Sequence, residues 1–375
     1  MNQAGRIAMF LLIVLGTWTA MHLYVGVRLS QVPWLRAWVS TRGIVCVFAF
    51  LWACYPTARL LERTRLGTAA RPLEFIGAEW MGVLFLIVVS LLAVDVVTGF
   101  GWLLPRATTS LRTGGLLIAG LLSVIAIVQG MREPVMSSHE IQVEGLPTEH
   151  DGLVLVYLSD LHLGSLLGER WLTTIVDRVN AQDPRIIVLG GDVFDSSSRH
   201  SEALVPALKR LRAPLGVWAV TGNHEYYAGV ERCVELLQNA EVKVLRDRWE
   251  EVIPGVIIAG VDDMTARRQF HIQGRSRALD GRPPGITVFL SHTPWGTEEV
   301  AAAGVDLMLS GHTHNGQIWP FTYFVQTQYP YVSGRYTIGG MHLLVCRGTG
   351  TWGPRMRLWR RSEILRITLR PSPAQ

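Results

Sequence analysis

Apolar residues fall into two patterns along this chain: long uncharged runs up to Met131, then short runs bounded by turn residues. Ile7 to Val27 is an uncharged run of 21 residues between Arg6 and Arg28. At ~1.5 Å per helical residue it can cross a hydrocarbon core ~30 Å thick. It is too long for an ordinary signal core, no small-x-small cleavage pattern follows, and more apolar segments come next, so it reads as a retained span. Three further spans are expected at 39–58, 80–104 and 114–131, the second only if its helix begins near Val39 and tolerates Arg42 at its edge. Residues 1–134 therefore read as a transmembrane region with four helices. An ionisable residue inside a membrane suggests a functional or pairing role. Here Asp95 is expected close to the interface and Glu79 outside its span.

Four spans put the amino terminus and everything after Arg132 on one side. Near span ends that side has Arg6, Arg59, Arg63, Arg65, Arg71 and Arg132, against Arg28, Arg36, Arg42, Arg106 and Arg112 on the other. The excess of one arginine favours the cytoplasmic side for the later part of the chain by the positive-inside rule, and leaves the other side open.

From Arg132 to Gly152 the composition turns polar, and residues 135–375 form the expected soluble domain, with a first strand over His139 to Val143. Beyond it, short β-branched runs alternate with stretches of helical period. Trp171, Leu172, Ile175, Val176 and Val179 make one apolar helix face, Val230, Val234 and Leu237 another, and Ala203, Leu204, Ala207, Leu208 and Leu211 a third. Such alternation predicts an α/β fold. Met264 to Pro284 breaks the pattern with arginines, glycines and two prolines and reads as a surface insertion. Two late strands are expected at Leu343 to Cys346 and Glu363 to Leu369.

A hydrophobic fraction of 49% and a formal charge of +5 add two points. The positive charge is almost all arginine, since Lys209 and Lys243 are the only lysines, and those arginines are scattered, so nucleic-acid binding is not expected. The four cysteines, Cys46, Cys54, Cys233 and Cys346, show no CxxC spacing and predict neither a disulfide scaffold nor a zinc-cysteine site.

The chemistry sits at the ends of five apolar runs. Asp160 and His162 follow Leu153 to Leu158, Asp192 follows Ile186 to Leu189, and Asn223, His224 and Glu225 follow Gly216 to Thr221. His292 follows Ile286 to Leu290, and His312 and His314 follow Val305 to Ser310. In open α/β sheets, ligands gather beyond the carboxyl ends of such strands. On extended backbone, residues two apart point to the same side, so Asp160 with His162 and His312 with His314 can each share an ion. Asp192, on a Gly-Gly turn, can bridge two ions. Seven mixed nitrogen and oxygen ligands are more than one ion needs. Two divalent ions are implied, manganese, iron or zinc, and such a pair suits phosphoryl transfer by attack of a metal-bound hydroxide.

The ordered motifs SDLHLG, GGDVFD, GNHEYY and SGHTHNGQI resemble the calcineurin-like metallophosphoesterase superfamily, in particular its branch of membrane-associated bacterial phosphoesterases. The resemblance implies a two-sheet sandwich with helices outside and a dinuclear site at one edge. It implies that Asp160, His162, Asp192 and His314 hold one ion and that Asp192, Asn223, His292 and His312 hold the other. His224 then matches the histidine that contacts the substrate phosphate and protonates the leaving oxygen, with Asn223 also at the substrate. Two departures stand out: Asn315 replaces a glycine common in the related branch, and Asp195 stands where purple acid phosphatases have a tyrosine ligand. A tyrosinate-iron(III) centre is therefore not expected.

Other features are less specific. Arg347, before Gly348-Thr349-Gly350, can pair with phosphate, while Glu225, Tyr226 and Tyr227 are expected mainly to pack. Trp352 and Trp359 with Arg355, Arg357, Arg360 and Arg361 form a basic-aromatic strip suited equally to a headgroup surface or an edge strand. His22, His139, His150, His200, His271 and His342 have no partner pattern. The function expected is hydrolysis of a phosphodiester or phosphomonoester by an enzyme of the bacterial plasma membrane, with anchoring pointing to a lipid-linked substrate. The alternatives are a pyrophosphatase acting on a nucleotide-linked lipid, or a non-catalytic membrane sensor or transporter subunit supported by Asp95.

Overall fold

The computed structural model describes residues 3–62, 64, 70–195, 201–263, 265 and 277–372. Most of the expected insertion at Met264 to Pro284, with His200 and His271, lies outside them. The chain forms two compact units, residues 1–131 with 353–358, and residues 132–352 with 359–375.

The first unit holds α1 (Gln3–Ser30), the short α2 (Pro33–Trp38), α3 (Thr41–Glu62), α4 (Arg71–Thr98) and α5 (Pro105–Met131). Four of them are long and apolar enough to cross a membrane, over Leu12–Ser30, Thr41–Leu61, Arg71–Gly101 and Pro105–Met131. The last two begin well before the expected 80 and 114. The charges that interrupt the uncharged runs do not interrupt the helices, and several of them have partners. Arg59 pairs with Glu74 at 3.3 Å, and Glu79 accepts the Arg355 N–H at 2.7 Å. Glu79 is thus buried within α4, not outside a span.

Asp95 is fully buried and tied to three partners. Its Oδ1 accepts Nε and Nη2 of Arg112 at 3.1 and 2.8 Å. Its Oδ2 accepts Nε of Arg28 at 2.6 Å and the Tyr24 hydroxyl at 2.8 Å. α1, α4 and α5 are therefore pinned together at one level. Elsewhere indole donors join the helices, Trp18 to the Trp52 carbonyl at 3.1 Å and Trp80 to His22 at 2.9 Å. Polar links of this kind are a main source of helix association where burial alone offers little.

The second unit is a sandwich of two six-stranded sheets. One has the order β1-β12-β2-β3-β4-β5 and the other β10-β11-β9-β8-β7-β6. In the first sheet β1 is Val135–Val143, β2 Leu153–Leu158, β3 Ile186–Leu189, β4 Val217–Ala219, β5 Lys243–Val244 and β12 Glu363–Pro371. In the second, β6 is Arg248–Ile253, β7 Val256–Gly260, β8 Ile286–Leu290, β9 Leu307–Ser310, β10 Gly334–Ile338 and β11 Met341–Val345. Successive strand residues face opposite ways. Leu155 and Tyr157 of β2 enter the core between the sheets with Val188, Val288 and Leu309, while Val156 and Leu158 face the helices outside.

Those helices are α6 (Glu169–Asn180), the single turn α7 (Val205–Leu208), α8 (Asn223–Ala228) and α9 (Val230–Asn239). α6 and α9 present the apolar faces read from the sequence, with Ile175 and Val179 on one and Val234 and Leu237 on the other. The third expected face is a 3-10 turn, Ser201–Leu204, running into α7, because Pro206 has no N–H to bond back to Glu202 and so starts a helix rather than continuing one. On the second sheet, α10 (Thr297–Ala302) packs Val300 against Phe289 and Met308, and α11 (Thr322–Gln326) follows the fifth motif. β2, β3 and β4 run parallel, as do β7, β8 and β9, so their carboxyl ends collect on shared edges. That edge is where the motifs lie.

A candidate metal centre at the strand ends

Six of the seven sequence-predicted ligands, all but Asn223, converge in overlapping groups. Ligand atoms of Asp160, His162 and His314 lie within 4.8 Å of one another, as do those of Asp192, His292 and His312, and those of His162, Asp192 and His224. Nε2 of His162 and Nε2 of His314 face each other at 3.0 Å, and His314 Nε2 is 3.3 Å from Asp160 Oδ1. His292 Nε2 is 3.2 Å from Asp192 Oδ2 and 3.3 Å from His312 Nδ1. Asp192 stands between the groups, 3.8 Å from His162.

The local reason for convergence differs from the extended-backbone expectation. Asp160, His162, Asp192, His312 and His314 have φ values of 55°, 45°, 50°, 70° and 49°. This is the left-handed region, uncommon for residues other than glycine, and such strain gathers at functional sites. The chain bends at each ligand instead of continuing as strand. Gly191, with φ 90°, leaves room for this: a Cβ there would lie 2.7 Å from His292 Nδ1 and 2.8 Å from the Gly222 nitrogen. Asn315 also sits in this region at φ 53°, which asparagine tolerates in place of glycine.

The donor set suits divalent ions. The buried Oδ1 of Asn223 has no hydrogen-bond partner among the described residues, which leaves it open as a ligand. Burial, with His224 close by, pushes His162 down to about 3. Burial and His292 hold His312 down to about 4. Both rings are thereby kept neutral, as ligation requires. Burial alone would raise Asp192, but the imidazoles of His292 and His224 draw it well below the usual carboxylate range. His292 is oriented by the Gly190 carbonyl, 2.8 Å from Nδ1, so that Nε2 faces the cluster.

A family model described as calcineurin-like phosphoesterase matches residues 153–316. An uncharacterised metallophosphoesterase of Aquifex aeolicus is 30% identical over 241 residues, 63% of this chain and 91% of that relative. The chain belongs to the calcineurin-like phosphoesterase family. It is also similar to a zebrafish (Danio rerio) transmembrane protein with metallophosphoesterase domain, 35% identical over 269 residues, covering 68% of this chain and 62% of that protein. A bovine (Bos taurus) protein of the same description is 32% identical, again with 62% of its length covered. The chain thus spans less than two thirds of those relatives.

Within this family domain, three residues matter that sequence reading placed elsewhere or passed over. Asp195, noted only as the replacement for a tyrosine, lies 3.2 Å from Nδ1 of His224. Burial pushes His224 down, but Asp192 and then Asp195 outweigh it, and the net shift is upward. Glu225, expected to pack, is fully buried and accepts the backbone N–H groups of Asp192, Phe194 and Gly222 at 2.9, 3.0 and 2.7 Å. It laces the second and third motif loops together, and its place directly after His224 was the only signal. Tyr329 sits 2.8 Å from Nε2 of His312, leaving Nδ1 toward the cluster. No motif marks it.

Arg347, expected to pair with phosphate, is held by Glu363. Its Nη2 meets Glu363 Oε2 at 2.5 Å and its backbone N–H donates to Oε1 of the same residue at 2.9 Å.

Proposed function

We propose that the protein hydrolyses a phosphoester at a dinuclear metal site. In this reading Asp160, His162, Asp192 and His314 hold one ion, and Asp192, Asn223, His292 and His312 the other. The observation that carries it is the convergence of Asp160, His162, Asp192, His292, His312 and His314 with His224, every one buried or nearly so, at adjoining strand ends of a family domain. Two divalent ions bound there, manganese, iron or zinc, supply a clamp for phosphate oxygens and activation of water. His224, drawn toward its protonated form beside Asp195, donates a proton to the leaving oxygen. Asn223 and His224 contact the phosphate as it is positioned.

Both diesters and monoesters fit this set. The four apolar helices favour a lipid-linked substrate, and the arginine count favours a cytoplasmic domain in a bacterial plasma membrane. Asp95, held by Arg28, Arg112 and Tyr24, is read here as a link between helices.

The test is turnover of a chromogenic phosphodiester and a phosphomonoester by the purified full-length protein with manganese. Asp192→Asn and His224→Ala each abolish or sharply lower it. Equal turnover in wild type and both variants rules the mechanism out.

A further inference from the structure

β1 begins at Val135, four residues after Met131 ends α5. At ~3.5 Å per residue, that length of chain reaches at most about 14 Å. Val135 pairs with Glu363 of β12, and β12 pairs antiparallel with β2, Leu365 opposite Tyr157. Continuing that register sets Glu363 level with Ser159, the residue before Asp160. The chain therefore enters the domain at the edge that carries the metal-type cluster.

Hydrogen bonds lead from that point to an exposed surface. Val135 N–H donates to the Ser362 carbonyl at 2.8 Å, and Ser362 Oγ to the Gly350 carbonyl at 3.2 Å. Two residues on, the Trp352 backbone exchanges two hydrogen bonds with the Gln317 side chain, both 3.0 Å. Gln317 opens the segment into α11. Along this path Trp319, Phe321, Tyr323, Phe324, Trp352 and Trp359 are exposed, from 38% to 62%. The other large exposed hydrophobic side chain among the domain's described residues is Tyr227, whose ring is 5.5 Å from His224. No aliphatic side chain joins them. The exposed set is wholly aromatic.

Aromatic residues are enriched at protein interfaces as well as in the headgroup layer of a bilayer, but here they line the edge by which the chain enters the domain, four residues after the apolar α5 ends, and that favours the bilayer. Exposed Arg360 and half-buried Arg361, whose Nη2 meets the Glu133 carbonyl at 2.5 Å, add cations where anionic lipid headgroups lie. We propose that this aromatic edge rests in the interfacial layer of the bilayer. The inference is independent of the reaction assigned above, since it rests on exposure and chain path.

The test uses the full-length protein in nanodiscs of phosphatidylcholine and phosphatidylglycerol, with Cys46, the exposed cysteine, changed to serine. An environment-sensitive fluorophore is attached at Phe324→Cys and, as a second position, at Trp319→Cys. Glu235→Cys, exposed on α9, is the reference. Nitroxide-bearing lipid is expected to quench the labels at 324 and 319 several-fold more than the one at 235, with iodide doing the reverse. Iodide quenching at 324 and 319 equal to that at 235 overturns the proposal. So does protection from both quenchers, which means that protein, a second copy included, covers the edge.

Discussion

The Asp195 carboxylate lies 3.2 Å from Nδ1 of His224, and its charge helps hold that imidazole in the protonated form. Replacing it tests the role of the histidine without touching a ligand. Asp195→Asn removes an upward influence, so the His224 pKa falls and its acid form is lost at lower pH. The alkaline limb of kcat/KM then moves to lower pH, while the acid limb stays in place. His224→Ala removes the proton donor and lowers kcat by ~10²–10⁴ for a substrate with a poor leaving group. An alkaline limb that does not move in Asp195→Asn means that His224 is not the titrating acid.

Glu225 is predicted to act on metal retention rather than on chemistry directly. Glutamine in its place keeps the shape but turns one acceptor into a donor facing a backbone N–H. An unsatisfied buried group costs about 1–3 kcal/mol. The loops that carry Asp192 and Asn223 then lose their shared anchor, and groups supporting ligands commonly affect metal affinity by ~10–100-fold. Metal content after dialysis and the manganese concentration for half-maximal activity report this, and both unchanged in Glu225→Gln would remove the positioning role.

Much of the site was legible because each ligand follows an apolar run, and the runs at Leu153, Ile186 and Ile286 are strands at the expected bounds. The geometry between ligands was not. Asp160 and His162 reach the cluster by left-handed turns, which spacing alone does not reveal. Asp195, Glu225 and Tyr329 acquire their partners only when separate loops come together in the fold. β6 also went unread, since Glu250 and Glu251 are adjacent and break the alternation that marks a half-buried strand. In the helical unit, charge marked the expected span limits, but buried pairing allowed α4 and α5 to run past Glu79 and Arg112.

Metal removal should be visible in stability. An ion that binds the folded cluster at ~100 times its Kd adds about 2.7 kcal/mol. Chelation is therefore expected to lower the melting temperature of the wild-type domain transition, and added manganese to restore it. Asp160→Asn and Asp192→Asn should show little response to either. A wild-type transition that ignores both chelator and manganese argues against bound ions in this cluster.

Asp95 should matter to the helices and not to the phosphoesterase cluster. Asp95→Asn keeps the size of the side chain but leaves Arg112, only 7% exposed, without its counter-charge. Breaking one side of a buried pair costs about 3–5 kcal/mol, whereas replacing both members by apolar residues of similar volume is often close to neutral. Arg28 is more exposed, at 15% for its side chain, and can turn toward headgroups, so Arg112 carries most of the penalty. Asp95→Asn is thus expected to melt earlier in detergent, and Asp95→Leu with Arg112→Met to recover much of the loss. Turnover of a soluble ester per folded molecule stays near wild type in both. If the double variant melts no later than Asp95→Asn, the penalty does not come from an uncompensated arginine, and the clamp formed by α1, α4 and α5 needs the charges themselves.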